Sequence, residues 1–179
     1  MKQKEEHAII LDYLPYGYPL EGKMMPLAQA IGESNFTLLQ LIPRKGVSLQ
    51  SKEKVYIGEG KREKIYYIFG RLPSEKLTEN AKFQLEEFVT EVVKEREKEF
   101  IKFFNDSTAI NTRVHQIELL PGYGKKHMRE ILEERKKKPF ETFDEMKKRM
   151  SSIPDPKTAI VKRVIEEITG KERNKIFVI

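Results

Sequence analysis

The residues best equipped for chemistry lie in Leu119–Lys126, LLPGYGKK. Two apolar residues enter, Pro121-Gly122-Tyr123-Gly124 turns the chain, and Lys125 and Lys126 open a helical pattern. Gly122 and Gly124 present no Cβ, so they admit a tight turn and the close approach of another backbone. A helix that begins near Lys125 exposes amide N–H groups with no acceptor inside the helix. Those donors and the positive end of the helix dipole suit a phosphate. Lys125, Lys126 and Arg129 add formal charge on that helix, and Lys136, Lys137 and Lys138 add more at its far end.

The flanking residues sharpen this expectation. Val114, Ile117 and Leu120 step at helical spacing before the turn, and Met128, Ile131 and Leu132 do so after it. Two short helices around a Gly-x-Gly turn resemble the helix-hairpin-helix motif of sequence-nonspecific nucleic-acid binders. Tyr123 occupies that motif's hydrophobic slot between the glycines. Met128 stands where the motif usually has a small residue, which would spread the helices slightly. A shift of 33 residues overlays this region on a second one. Leu120-Pro121 falls on Ile153-Pro154, Ile117 on Met150, and Met128, Ile131 and Leu132 on Val161, Val164 and Ile165. The repeat implies two hairpin units in tandem. In the second, Asp155 and Pro156 replace Gly122 and Tyr123; a proline has no amide and a carboxylate repels phosphate. Lys157, Lys162 and Arg163 remain as secondary backbone contacts.

No catalytic constellation is legible. His7, His115 and His127 are far apart, and no His pair or Cys/His cluster has metal-ligand spacing. There is no P-loop, no G-x-S-x-G and no dinucleotide fingerprint. The sequence therefore implies no catalytic residues, no metal and no cofactor. Carboxylates that meet only in the fold keep a metal-dependent nuclease open as an alternative. A protein-interaction module is the other.

Charge places the partner. Residues 1–106 hold 17 Lys/Arg and 17 Asp/Glu, and residues 107–179 hold 17 and 11, so the net +6 lies wholly in the part containing the hairpin. That asymmetry favours a polyanion. Zero cysteines, no signal-peptide pattern and no long apolar run point to a cytoplasmic protein without a membrane partner.

The elements that position the hairpin form an α+β, multidomain chain. Residues 1–76 read as a small OB-like β-barrel, with strands at Glu6–Tyr13, Leu27–Ile31, Phe36–Ile42, Lys54–Gly58 and Lys64–Phe69. Lys61 and Arg62, in a loop of this electrically neutral part, are secondary contacts at most; Arg44 and Lys45 mark another basic turn. Tyr13, Tyr16 and Tyr18 either stack on bases or pack against strand ends. Residues 77–106 read as one bridging helix capped by Thr78, its phenylalanines in the core. Residues 107–179 read as an all-α tandem helix-hairpin-helix domain, with Lys175–Ile179 as a C-terminal strand.

The chain resembles an uncharacterised archaeal family of predicted RNA-binding proteins. The stretches ILDYLPYG, PLAQAIGESNFTLLQL, VYIGEG and LLPGYGKKHMREILEERKKKPFETF are the parts that resemble it. The resemblance implies an OB-like N-terminal domain, a C-terminal hairpin domain, and RNA rather than DNA as partner.

Overall fold

The computed structural model describes residues 4–22, 24–170 and 172–178. The chain divides into two compact units, Met1–Glu87 with Glu167–Ile179, and Phe88–Glu166. Among the described residues the fold is α+β: a curled five-stranded antiparallel half-barrel plus five α-helices.

In the first unit the strands are β1 (His7–Leu14), β2 (Leu27–Gly32), β3 (Leu38–Pro43), β4 (Lys54–Tyr56) and β5 (Ile65–Arg71), in the order β4-β1-β2-β3-β5. All five fall where the sequence predicts strands. β2 and β3 are buried at every residue. One of their faces joins a core of Ala8, Ile10, Ala28, Ala30, Leu39, Leu41, Val55, Ile57 and Ile65. The other presents Gln29 and Gln40 as a cross-strand pair. Both amides are buried and both are satisfied, as burial demands. Gln29 donates to Lys76 O at 2.7 Å and accepts from Thr78 N–H, while Gln40 donates to Arg71 O. Tyr18 donates its hydroxyl hydrogen to Gln40 Oε1 at 2.8 Å and accepts from Gln29. Tyr18 is thus structural, Tyr13 packs half-buried against the core, and only Tyr16 is largely exposed.

The expected single helix over residues 77–106 is two, α1 (Glu79–Glu95) and α2 (Glu97–Asp106). Thr78 does cap α1, its Oγ1 accepting the Ala81 N–H at 3.0 Å and donating to Asp12. The break falls at Arg96, with φ −100° and ψ 33°. No Gly or Pro announces it. Just beyond it, Glu97 Oε1 accepts the Phe143 N–H at 2.8 Å, a partner 46 residues away that no local pattern shows.

The second unit continues with a 3-10 turn (Gln116–Leu119), then α3 (Lys125–Lys137), α4 (Phe143–Arg149) and α5 (Pro156–Thr169). The limb before the first turn, expected as a helix, is that single 3-10 turn. Its start is fixed by a reciprocal cap: His115 Nδ1 accepts the Ile117 N–H, and Glu118 accepts the His115 N–H. Burial repeats with the predicted period of 33 residues. Ile117 and Met150, Leu120 and Ile153, and Ile131 and Val164 are buried in pairs. α5 crosses from one unit to the other at Glu167.

No strand forms at the described residues of the predicted Lys175–Ile179 segment; Ile179 itself lies outside the described residues. The buried Glu167 carboxylate accepts three successive amides there, from Ile176, Phe177 and Val178, at 2.6–2.9 Å. Successive amides of a strand point to opposite edges and cannot converge on one carboxylate.

Candidate nucleic-acid interface

The first turn is built as its sequence requires. The Tyr123 N–H donates to Leu120 O at 3.0 Å across Pro121-Gly122, and Gly122 has φ +83°. Proline second and a left-handed glycine third are the demands of a type II turn. Gly124 is different. At φ −110° and ψ −171° it is extended backbone open to any residue, and a Cβ there would meet nothing within 4 Å. Its value lies in that open space.

α3 starts directly beyond. The Gly124 N–H is used internally, donating to His127 Nδ1 at 3.1 Å. Among the described residues, the amides of Lys125, Lys126 and His127 meet no acceptor. Three donors of the first helical turn therefore have no partner among the described residues beside exposed Gly124, and a helix start of this kind can bind an anion.

The predicted contacts do not all belong to this surface. Tyr123 is 5 % exposed, and its hydroxyl donates to Pro154 O at 2.6 Å. Burial, with the Asp155 charge nearby, pushes that hydroxyl far above the ordinary tyrosine range. Tyr123 is a core residue tying the first turn to the second, and it cannot reach a ligand while so placed. Lys125 is exposed but engaged: its Nζ lies 3.1 Å from Glu118 Oε1 and 2.5 Å from Arg113 O. The His115 N–H and the Lys125 ammonium hold the Glu118 carboxyl below its usual range. Lys137 pairs with Glu134 at 2.7 Å, and Lys138 lies 3.7 Å from Glu141. Lys126, Arg129 and Lys136 are exposed, and among the described residues none has an ion-pair partner.

The secondary contacts sort similarly. Lys162 is exposed and Lys157 half-buried, without ion pairs among the described residues. Arg163 is 5 % exposed, and its guanidinium donates toward Leu119 O at 3.4 Å; it is structural. In the first unit Lys61 is exposed, while Arg62 donates through Nε to Gly58 O.

The second turn has been closed by its own residues. Asp155 is the N-cap of α5, Oδ2 accepting the Thr158 N–H at 3.0 Å and its hydroxyl hydrogen at 2.6 Å. Lys147 Nζ lies 3.3 Å from Oδ1. Burial opposes ionisation of Asp155, but the Thr158 and Lys147 interactions outweigh it and hold the carboxyl below its ordinary range. Asp155 therefore caps α5, where the sequence reading had it facing a phosphate. Asp followed by Pro at the first helical position is a helix-start signal that could have revealed this. His127 as internal cap of the first turn left no such signal.

Among the described residues, no group of three or more His, Asp or Glu side chains gathers as a metal site, and no helix is long and apolar enough to cross a membrane.

Residues 4–179 match the family described as "Protein of unknown function (DUF655)". The uncharacterised protein MJ0038 of Methanocaldococcus jannaschii is 41% identical over 173 residues, covering 97% of this chain and 78% of the relative. The crystal structure of Af1531 from Archaeoglobus fulgidus, a DUF655 protein, is similar at TM-score 0.86 and 44% identity, covering 98% of this chain and 100% of that one. With the match spanning nearly its whole length, the chain belongs to the archaeal family DUF655.

Proposed function

We propose that this chain is a cytoplasmic, non-enzymatic RNA-binding protein that grips the phosphate backbone at the start of α3. Residues 107–179 act as two helix-hairpin-helix units of unequal role, and the half-barrel of residues 1–76 acts as an OB-like partner domain. One observation supports this above the others. Three amides without an acceptor among the described residues open α3 beside an exposed glycine and a Lys126 without an ion pair among them, in the part of the chain that holds the whole excess of positive charge. Amides and dipole position the phosphate; Lys126, Arg129 and Lys136 supply attraction.

The test is the salt dependence of affinity for labelled RNA and DNA duplexes. Each backbone contact that neutralises a phosphate adds about one to the slope of log affinity against log salt. Lys126→Ala with Arg129→Ala should flatten that slope by about two units. Lys125→Ala should leave it nearly unchanged, because Glu118 already compensates that ammonium. An unaltered slope in the Lys126/Arg129 variant would remove the assigned surface. Magnesium-dependent cleavage of the probe would replace the binder with a nuclease. Capture of a protein partner at high salt without nucleic acid would favour an interaction module.

A further inference from the structure

Strand β5 lies at one edge of the half-barrel and breaks its register with β3 twice. Pro43 pairs with Ile65 and Ile42 with Tyr67, which leaves Tyr66 without a partner. Leu41 pairs with Ile68 and Gln40 with Gly70, which leaves Phe69 without one. Each irregularity is a β-bulge, a device that re-aims a side chain. The effect on burial is direct. Ile65 and Ile68, three residues apart, would face opposite sides of a regular strand. With Tyr66 extruded between them, both belong to the same core. The extruded aromatics are turned out: Tyr66 is 64% exposed and Phe69 58%.

Tyr66 also lines an open groove. Its other walls include half-buried Tyr13, Met25, Val47 and the two cations of the turn after β3, Arg44 and Lys45. That turn is held by the Val47 N–H donating to Arg44 O at 3.0 Å, and by Arg44 Nε donating to Arg62 O. No Asp or Glu lines the groove. The first part of the chain is neutral in sum, yet the groove offers the exposed Tyr66 ring and two cations with no carboxylate among its lining residues, and exposed Phe69 lies three residues farther along the same edge strand. The fully buried β2 and β3 leave the middle of the sheet unable to stack anything. The stacking surface is displaced to the bulged edge.

From this we infer that the β5 edge and the Tyr13–Arg44–Lys45–Tyr66 groove form a second site, for single-stranded nucleic acid, distinct from the duplex-gripping start of α3. Unpaired bases stack on Tyr66 and Phe69, and Arg44 and Lys45 take the phosphates between them. A strand has free base faces and a duplex does not, so this site discriminates by strand state. It also gives the Tyr66 bulge a purpose: an edge strand that displays aromatics invites aggregation unless something is meant to cover them. The inference rests on the nucleic-acid reading above and adds strand state to it.

The experiment uses the full chain, a labelled oligouridylate and a labelled RNA duplex. Tyr66→Ala with Phe69→Ala should lower oligouridylate affinity by about tenfold or more, with duplex affinity and thermal unfolding unchanged. Arg44→Ala with Lys45→Ala should lower it too, and flatten its salt slope by about one to two units. The chain has no tryptophan, so Tyr66→Trp introduces a single indole reporter. It should retain affinity, and its emission should be quenched by the oligouridylate and unchanged by the duplex. Equal oligouridylate affinity in the aromatic double variant overturns the inference. So does a change in self-association on sedimentation with oligouridylate binding intact, which would assign the edge to a second copy of the chain. Loss of duplex binding in Lys126→Ala tests only the α3 surface, so the two sites fail separately.

Discussion

The two turns of the second unit begin 33 residues apart, at Leu120 and Ile153, but the helices they lead into begin 31 apart, at Lys125 and Pro156, and differ in their caps. The first, Leu120–Gly124, ends with open amides and open space over Gly124. The second, Ile153–Pro156, leads into a helix whose first residue is a proline without an N–H and whose Thr158 amide and hydroxyl are taken by Asp155. Among the described residues, the first helix start leaves three amides without an acceptor, and the second leaves only that of Lys157. The two are also joined, since Tyr123 of the first donates to Pro154 of the second and Ser152 donates to Glu130 at 2.6 Å. Helix packing depends on the apolar spacing and anion binding on a few cap residues, so shared apolar spacing does not require a shared anion site.

The strongest effects should come from the packing that both copies share. Ile131→Ala and Val164→Ala remove fully buried side chains from equivalent positions. Denaturant unfolding should show losses of about 2–5 kcal/mol for the isoleucine and about 1–3 kcal/mol for the valine. A large loss at one position with none at the other would break the equivalence of the two units.

A smaller loss should follow from cutting the tie between the turns. Tyr123→Phe keeps the ring and leaves the Pro154 carbonyl without its donor. The expected cost is about 1–3 kcal/mol, with duplex affinity unchanged, because the hydroxyl is buried and away from any ligand. Selective loss of affinity with stability intact would restore Tyr123 to the binding surface.

The smallest effect belongs to the cap of the second turn. Asp155 has a folded-state pKa below its ordinary value near 4. Its stabilisation is therefore complete above that value and is lost as pH falls through the lower folded value. Asp155→Asn keeps a capping oxygen and should cost about 0.5 kcal/mol or less at neutral pH. Its stability curve should be flatter than the parent's below about pH 4. An unchanged acid limb would mean that another carboxylate dominates that range.

Much of the fold was legible because short strands and helix caps are local. The β1 and β5 segments declared themselves by β-branched and aromatic content between turn residues, and Thr78 announced a helix start that the structure contains. What escaped depends on partners distant in sequence. Glu167 collects the amides of residues 176–178 and prevents a strand that KIFVI by itself favours. Glu97 meets Phe143 just beyond the break at Arg96. At the first turn, too, the surroundings of single residues depend on distant partners. Lys125 looks like a phosphate ligand until the fold brings Glu118 to it, and Tyr123 looks exposed between two glycines until Pro154 receives its hydroxyl. The exposed aromatics of β5 depend on two bulges that a period-two pattern does not reveal.

The central claim is that the open helix start after the first turn holds phosphate and the capped start after the second does not. Gly124→Val and Asp155→Gly measured side by side, for duplex affinity and thermal unfolding, test it most directly. Valine suits the extended backbone at 124 and meets no neighbour there, so the fold should be unaffected. Its branched side chain would fill the space a phosphate needs, and affinity should fall about tenfold or more, about 1.4 kcal/mol. Asp155→Gly should lose a few tenths of a kcal/mol of stability and bind as the parent does. Parent-like affinity in a folded Gly124→Val variant, or a tenfold loss in Asp155→Gly, would contradict the claim.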